Sequence, residues 1–331
     1  MSTTADDPAR ELGWAATDRD DPAVQRLRDH LAANNGLAGL EVLEHTEIDR
    51  AVRLLERDGF VVIGDVLDDA QTAILKAETD RVVRDIIALD DGRAGNRGSH
   101  RYSFGGSSRT RSMLHEPAWQ MLLDLPRLTP LLEAAFRSSD YLLRAASGDF
   151  CLPGATEYQP LHSDMRDAVD PTSTPFSSFV DPRGFLTTRD LPMPYLCVNF
   201  LTVDMTALNG PTRQIPGTQH SRAPFPTLSE EPEWMRLSTV CPAPAGSVML
   251  RDVRAWHGGT PNLSEDVRSI PNLEIYAPWF REPMIPGISR ADWEQLSPRA
   301  QAMTRYAVAD SSETLDTGYF VKPFRIPSDR R

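Results

Sequence analysis

Tyr158-Gln159-Pro160-Leu161-His162-Ser163-Asp164 is the stretch around which the rest of the chain falls into place. His162 and Asp164 stand two apart, and on an extended strand such side chains share a face. An imidazole and a carboxylate so placed form two thirds of the ligand set of a facially coordinated non-haem iron(II), completed by one more imidazole. Trp256-His257-Gly258-Gly259-Thr260 offers that imidazole in His257, shortly after the apolar, strand-like run 247–250. Arg268 follows in the extended segment leading into Leu273. A guanidinium there can take the far carboxylate of a diacid in a two-pronged hydrogen bond, which Lys does less well. His-x-Asp alone is weak evidence in an Asp-rich chain with 7 histidines, and its weight comes from His257 and Arg268. His45 and Glu47 show the same spacing, but at the start of a helix, where residues two apart do not share a face. His30, His100, His115 and His220 have no carboxylate two residues on and read as structural.

Working outward, the pattern from 141 to 280 is that of short strands. Apolar runs at 141–146, 149–152, 194–203, 213–216, 247–250 and 273–279 are mostly bounded by turn residues such as Pro153-Gly154, Asn209-Gly210-Pro211, Pro216-Gly217 and Ala245-Gly246. Many short strands with irregular connections predict a mainly β fold with flanking helices, its core a jelly roll, not a parallel sheet with helical crossovers. Upstream, 22–33 and 47–57 read as amphipathic helices, Gly59-Phe60-Val61-Val62-Ile63-Gly64 as a buried strand, and 70–89 as a helix capped by Asp68 or Asp69. The Gly- and Arg-rich stretch 91–112 reads as a loop, and its Tyr102 and Phe104 suit a loop folding over a pocket. Two short helices follow at 117–125 and 130–137, with Thr129 as a candidate cap of the second. The Pro-, Ser- and Thr-rich stretch 165–193 begins directly after Asp164, and an insert of that length is expected to serve as a lid or binding loop. Beyond 280, Ser289 and Ser297 can cap two short helices, and 319–324 is a candidate closing strand. The expected organisation is a single domain over 1–331: a helical scaffold with one or two strands (1–140), the β core with its insert (141–280) and a C-terminal extension (281–331).

A chain of 331 residues with 40% apolar residues can bury a sizeable core. Its formal net charge of -12 argues against nucleic acid, which is bound through clustered Lys and Arg. It argues equally against a polybasic membrane anchor, and against an anionic ligand unless a local basic patch receives it. No apolar run approaches the roughly 18 residues of a membrane span, and residues 1–30 lack the apolar segment of a secretory signal. Cys151, Cys197 and Cys241 are odd in number and share no metal-type spacing, so they read as buried free thiols in a reducing cytoplasm.

With these residues in view the chain resembles the phytanoyl-CoA dioxygenase family of iron(II)/2-oxoglutarate oxygenases, over about 54–280. The markers are Asp58-Gly59-Phe60-Val61-Val62 before a helix, then Gln159-Pro160-Leu161-His162-Ser163-Asp164. Next come Asp204-Met205-Thr206-Ala207-Leu208-Asn209-Gly210-Pro211-Thr212 and Ile215-Pro216-Gly217-Thr218-Gln219-His220, and last Trp256-His257-Gly258-Gly259-Thr260-Pro261-Asn262 with Arg268. The resemblance implies a double-stranded β-helix (cupin-like) core, iron held by His162, Asp164 and His257, and 2-oxoglutarate salt-bridged to Arg268, with dioxygen as the second cosubstrate. It implies that Gln159, three before the first ligand, lies near the cosubstrate. The position two after the distal histidine is often a serine contacting 2-oxoglutarate; here it is Gly259, with Thr260 next as the candidate contact. Asp164 argues against halogenation, because related halogenating enzymes lack the carboxylate ligand. The expected reaction is oxidation of a C–H bond in a small organic molecule, by hydroxylation first, with desaturation, ring closure and epoxidation sharing the ligand set. Natural-product biosynthesis is the expected setting by analogy with family members. Tyr102, Phe104, Met165, Asn199 and Trp256 are the pocket-lining candidates. A non-catalytic jelly-roll binding protein with a closed metal site is the rival from another class. Neither a monomer nor a homo-oligomer is singled out.

Overall fold

A computed structural model describes residues 12–323, except 15, 16, 99, 166–180, 182, 311 and 313. Helix α1 (Pro22–Asn34) is capped by Asp21, whose side chain accepts from Ala23 N. After the short strand β1 (Val42–Leu43), helix α2 (Ile48–Asp58) ends at Gly59, whose left-handed φ of 81° turns the chain directly into strand β2 (Phe60–Ile63). Helix α3 (Asp69–Ala88) starts with a capping box between Asp68 and Gln71. Strand β3 (Arg101–Ser103) and a helical turn at Phe104–Ser107 follow, then short helices at Pro117–Met121 and Thr129–Phe136. The core strands are β4 (Leu142–Cys151), β5 (Tyr195–Phe200), β6 (Arg213–Gln214), β7 (Val248–Asp252), β8 (His257–Gly258) and β9 (Arg268–Tyr276). Seven of the nine strands make one sheet in the order β1-β2-β7-β5-β9-β4-β3, and β6 pairs with β8 in a second, two-stranded sheet. Apart from the parallel β1–β2 pair, the pairings are antiparallel. With its isolated bridges, such as Ala155↔Asn262 and Met205↔Ala243, this is a double-stranded β-helix, a jelly roll with flanking helices.

Strand alternation divides the large sheet into two faces. Val61, Ile63, Val198, Phe200, Val248, Leu250, Leu273 and Ile275 point to one side, where they share a buried cluster with Leu75, Val82 and Ile86 of α3. On the other side Arg251, Asn199, Arg268, Ile270, Asn272 and Asp149 open onto a cavity of about 200 Å³. One face therefore holds the fold together and the other is left for chemistry.

The expected strands 141–146 and 149–152 are one continuous strand, β4, with an irregularity between Leu143 and Ala145. Gly148, which reads as a break, sits at φ 126° opposite Pro271, and a Cβ there would lie 2.3 Å from the Ile270 carbonyl oxygen. The strand crosses its neighbour so closely that only glycine fits. Strand β9 begins at Arg268 rather than 273, because Pro271 interrupts the apolar pattern but is accommodated opposite Gly148. The expected loop 91–112 contains β3, which pairs with β4 through Arg101↔Cys151 and Ser103↔Asp149. Thr129 is the first helical residue rather than the cap, its hydroxyl donating to Leu125 O at 3.2 Å. Ser289 and Ser297 do cap the two C-terminal helices, Arg290–Glu294 and Pro298–Thr304. Of the expected closing strand, Tyr319 makes one bridge to Ser108, and Phe324 lies outside the described residues. No helix among the described residues is long and apolar enough to cross a membrane.

Candidate metal centre

His162 and His257 face one another across an antiparallel bridge. His162 N donates to His257 O at 3.0 Å, and His257 N donates back to His162 O at 2.9 Å. Their rings lie 4.3 Å apart, centroid to centroid. Asp164 follows two residues after His162, its N bonded to Val253 O at 2.9 Å, so strand alternation returns its carboxylate to the side of the imidazoles. One ligand atom each from His162, Asp164 and His257 lies within 4.8 Å of the other two, and His257 Nε2 stands 3.5 Å from Asp164 Oδ1. Among the described residues no fourth His, Cys, Asp or Glu joins the group. Three donors on one side of a point, with the opposite side open, is the facial arrangement of non-haem iron.

The surroundings orient these donors. His162 Nδ1 lies 3.1 Å from Pro160 O, an acceptor that holds the proton on Nδ1 and turns Nε2 inward. Burial first, then the adjacent His257, depress the His162 imidazole to about 3, so it stands neutral with a lone pair to give. Arg251, at the end of β7, donates from Nη2 to Asp164 Oδ2 at 2.7 Å and places Nη1 3.0 Å from His257 Nδ1, which also faces Ala255 O at 3.1 Å. Burial by itself raises the Asp164 carboxyl, but Arg251 and then His257 outweigh it and hold the group well below the usual carboxylate range. The carboxylate is thus ionised, with one oxygen taken by a guanidinium and the other directed at the imidazoles.

Arg268 opens β9 and lines the same cavity, 4% exposed, and its buried Nε has no hydrogen-bond partner. A buried donor without a partner calls for an acceptor, and a ligand carboxylate is one that also matches the guanidinium's charge. The donor set and this arginine therefore fit a metal ion together with a carboxylate-bearing ligand. Gln159 also lines the cavity, its Oε1 accepting from Gly259 N at 3.1 Å. Asn199 lines it from β5, with Nδ2 buried and unpartnered.

Five other candidates lie elsewhere. Tyr102 and Phe104 are core residues, 1% and 0% exposed. Tyr102 stacks on Phe150 at 5.1 Å, and Phe104 meets Trp119 edge-on at 5.3 Å. Met165 packs with Leu142, Tyr195 and Val253, and Trp256 with Leu161, Ile215 and the Phe225 ring. One cause accounts for Tyr102, Met165 and Trp256: each is next in sequence to a residue that faces the cavity, and alternation sends it the other way. The Thr260 hydroxyl donates to Pro211 O at 2.5 Å and does not line the cavity. Arg251 and Arg101, both cavity-lining, escape the sequence reading, although an arginine ending the apolar run Val248-Met249-Leu250 signals a polar interior. The three cysteines are free and buried, and burial pushes the Cys197 thiol up to about 12.

A jelly roll carrying an open-sided His, Asp, His cradle and a buried arginine in one cavity defines the class of non-haem iron enzymes that use a diacid cosubstrate. The family described as phytanoyl-CoA dioxygenase (PhyH) matches residues 55–270, and the chain belongs to it. It is accordingly a 2-oxoglutarate-dependent non-haem iron enzyme. Among solved structures it is similar to the epimerase SnoN in complex with Fe3+, alpha-ketoglutarate and nogalamycin RO. Identity is 18% over 70% of this chain and 84% of that one, with a TM-score of 0.47. It is also similar to AviO1 from Streptomyces viridochromogenes Tue57 (21%, covering 72% and 98%, TM-score 0.46). HygX from Streptomyces hygroscopicus, with nickel, 2-oxoglutarate and hygromycin B bound, gives 16% identity, coverage of 71% and 90%, and a TM-score of 0.49.

Proposed function

We propose that this chain oxidises a C–H bond of a small organic molecule, by hydroxylation, with His162, Asp164 and His257 holding iron and Arg268 anchoring 2-oxoglutarate. The observation that carries the reading is the convergence of three donor groups within 4.8 Å on a cavity that also contains the Arg268 guanidinium. Iron with 2-oxoglutarate supplies oxidation by dioxygen, with succinate and carbon dioxide released. The chain supplies position: Pro160 O and Arg251 fix the donors, and Arg268 seats a carboxylate in the same cavity. Desaturation, ring closure or epoxidation would use the same ligands, the outcome depending on where the substrate hydrogen lies. A closed structural metal site needs a fourth protein ligand, which the described residues do not bring. We extend to this chain a natural-product setting, the one named for SnoN being nogalamycin biosynthesis.

Anaerobic titration of the protein with iron(II) and 2-oxoglutarate tests the reading. A weak visible charge-transfer band is expected; it disappears in His162→Ala and weakens in Arg268→Ala. Iron-loaded wild-type protein without this band would overturn the assignment. A mass-spectrometric screen for compounds that gain one oxygen or lose two hydrogens as succinate accumulates then identifies the substrate.

A further inference from the structure

We propose that Glu274, with Asn272 beside it, is the substrate-recognition point of the cavity, and that the substrate it receives carries a protonated amine. This deepens the reading above and rests on it.

Strand register is the first ground. By alternation β9 presents Arg268, Ile270, Asn272 and Glu274 to the cavity. Six residues of strand put Glu274 about 20 Å along the backbone from Arg268, so the carboxylate and the cosubstrate's arginine stand at separate places on one strand. Cys197 of β5 is the Cα partner of Arg251 on one side and of Glu274 on the other. A ligand group held at Glu274 therefore enters on the row of the arginine that holds Asp164, away from the Arg268 end of the strand.

Charge is the second ground. Arg144 donates from Nη1 to Glu274 Oε2 and from Nε to Glu282 Oε2, the latter at 3.0 Å, so one guanidinium serves two carboxylates. The same guanidinium lies over the Tyr195 ring, 4.8 Å from its centroid. The Glu274 and Glu282 side chains are only 16% and 13% exposed, and the cluster holds one negative charge more than positive. No described residue donates to Glu274 Oε1. Burial pushes the Glu274 carboxyl up, with Arg144 opposing, and a cation against its open oxygen favours the ionised form. Of the nearby cations, Arg97 and Arg251 are bridged to Asp149 and Asp164. Arg111 and Lys322 line an adjoining cavity of about 380 Å³, which Glu274 also borders, but both are exposed, where water weakens their pull.

Asn272 is the third ground. Its Nδ2 donates to Cys197 Sγ at 3.5 Å, and its Oδ1 is buried without a partner. The Cys197 thiol in turn donates to Asn199 Oδ1 at 3.7 Å, which fixes the sense of the Asn272 amide. Two residues apart on one face, Glu274 and Asn272 each offer the cavity an acceptor that lacks a donor. An ammonium has three donors and no acceptor and complements such a pair; a hydroxyl has one donor and a carboxylate none.

The test uses the protein loaded anaerobically with iron(II) and 2-oxoglutarate at pH 7.5, where a molecule entering beside the metal perturbs the charge-transfer band. The probes are matched pairs: cyclohexylamine against cyclohexanol, and glucosamine against glucose. In wild type each amine is expected to bind about 10- to 100-fold more tightly than its alcohol, the range of a charge-assisted hydrogen bond. Glu274→Gln should abolish that preference while its 2-oxoglutarate titration stays within twofold of wild type. Arg144 keeps Glu282 in this variant, so no buried cation is stranded, and an unchanged near-ultraviolet circular dichroism checks the fold. Glu274→Asp should retain part of the preference, and Asn272→Leu should weaken the amines several-fold. Equal responses to amine and alcohol in wild type, including none to either, would overturn the proposal, as would a preference that survives Glu274→Gln. Either result, with the band itself present, leaves the oxygenase reading intact; absence of the band in wild type would remove both.

Discussion

Replacing Glu231 with glutamine should cost the folded state about 3–5 kcal/mol, the range for a buried ion pair that loses one partner. Arg213 and Glu231 are both 0% exposed at their side chains, and Arg213 reaches Glu231 through both Nη atoms, the Nη2–Oε1 bond measuring 3.1 Å. The same guanidinium donates to Gln159 O and lies over the Tyr158 ring, 5.3 Å from its centroid. Its strand, β6, pairs with β8 through Gln214↔His257. Removing the carboxylate charge leaves a buried cation without that counter-charge, on the strand paired with the one that carries His257. Urea unfolding in the presence of EDTA, followed by far-ultraviolet circular dichroism, reads the cost without a metal contribution. At about 2 °C per kcal/mol for a chain of this size, the melting temperature should fall by roughly 6–10 °C. Arg213→Met combined with Glu231→Leu should be less harmful than Glu231→Gln alone, because it removes the charge instead of stranding it. A single variant within about 1 kcal/mol of wild type, or a double variant no better than the single, would refute the reasoning.

Two further outcomes concern the metal cradle. Arg251→Gln should weaken iron(II) binding by about 10- to 100-fold, the usual effect of losing a group that orients a ligand, with Arg251→Lys intermediate; an unchanged dissociation constant by chelator competition would show that Asp164 needs no such support. Stripping the metal should leave the near-ultraviolet circular dichroism unchanged, because the His162–His257 backbone bridge and the Arg251–Asp164 bond hold the donors in place without it. Added iron(II) should then stabilise only by mass action, by about 2.7 kcal/mol at a free concentration of one hundred times the dissociation constant. Collapse of that signal on stripping would instead mean that metal binding and folding are one event.

His162, Asp164, His257 and Arg268 could be picked out from sequence because each combines a reactive side chain with strand-like flanks, and two-residue alternation fixes which way it points. The same alternation, taken one residue further, turns Met165 and Trp256 away from the cavity. Tyr102 obeys the same alternation, but its sequence does not show it. Its strand spans only Arg101–Ser103 among glycines and arginines, too short for any periodicity to show. Gly148 and Pro271 misled in a related way: both are breakers by themselves, yet each makes room for the other across β4 and β9. That compensation is a property of the register between strands far apart in sequence, and no local window contains it. Arg101 and Gly259 are coupled in the same manner, 158 positions apart in the chain but within van der Waals reach in space.

The chain's charge shows why a global quantity misjudges a local site. A net charge of -12 argues against an anionic ligand only if charge is spread evenly. The cavity lining instead gathers Arg97, Arg101, Arg251 and Arg268 against Asp149, Asp164 and Glu274. Several of these are already committed: Arg97 bridges to Asp149, Arg251 to Asp164, and Glu274 to Arg144. Arg268 adds a buried guanidinium to that lining, and the Asp164 carboxylate and two imidazoles gather their donor atoms within 4.8 Å of one another. On the proposed reading a dication at the donor group and a dicarboxylate at Arg268 are complementary to this lining, and each strengthens the other where the dielectric is low. What an anion would meet is therefore set by the arginines that strand register places in the lining, not by the net charge of the chain.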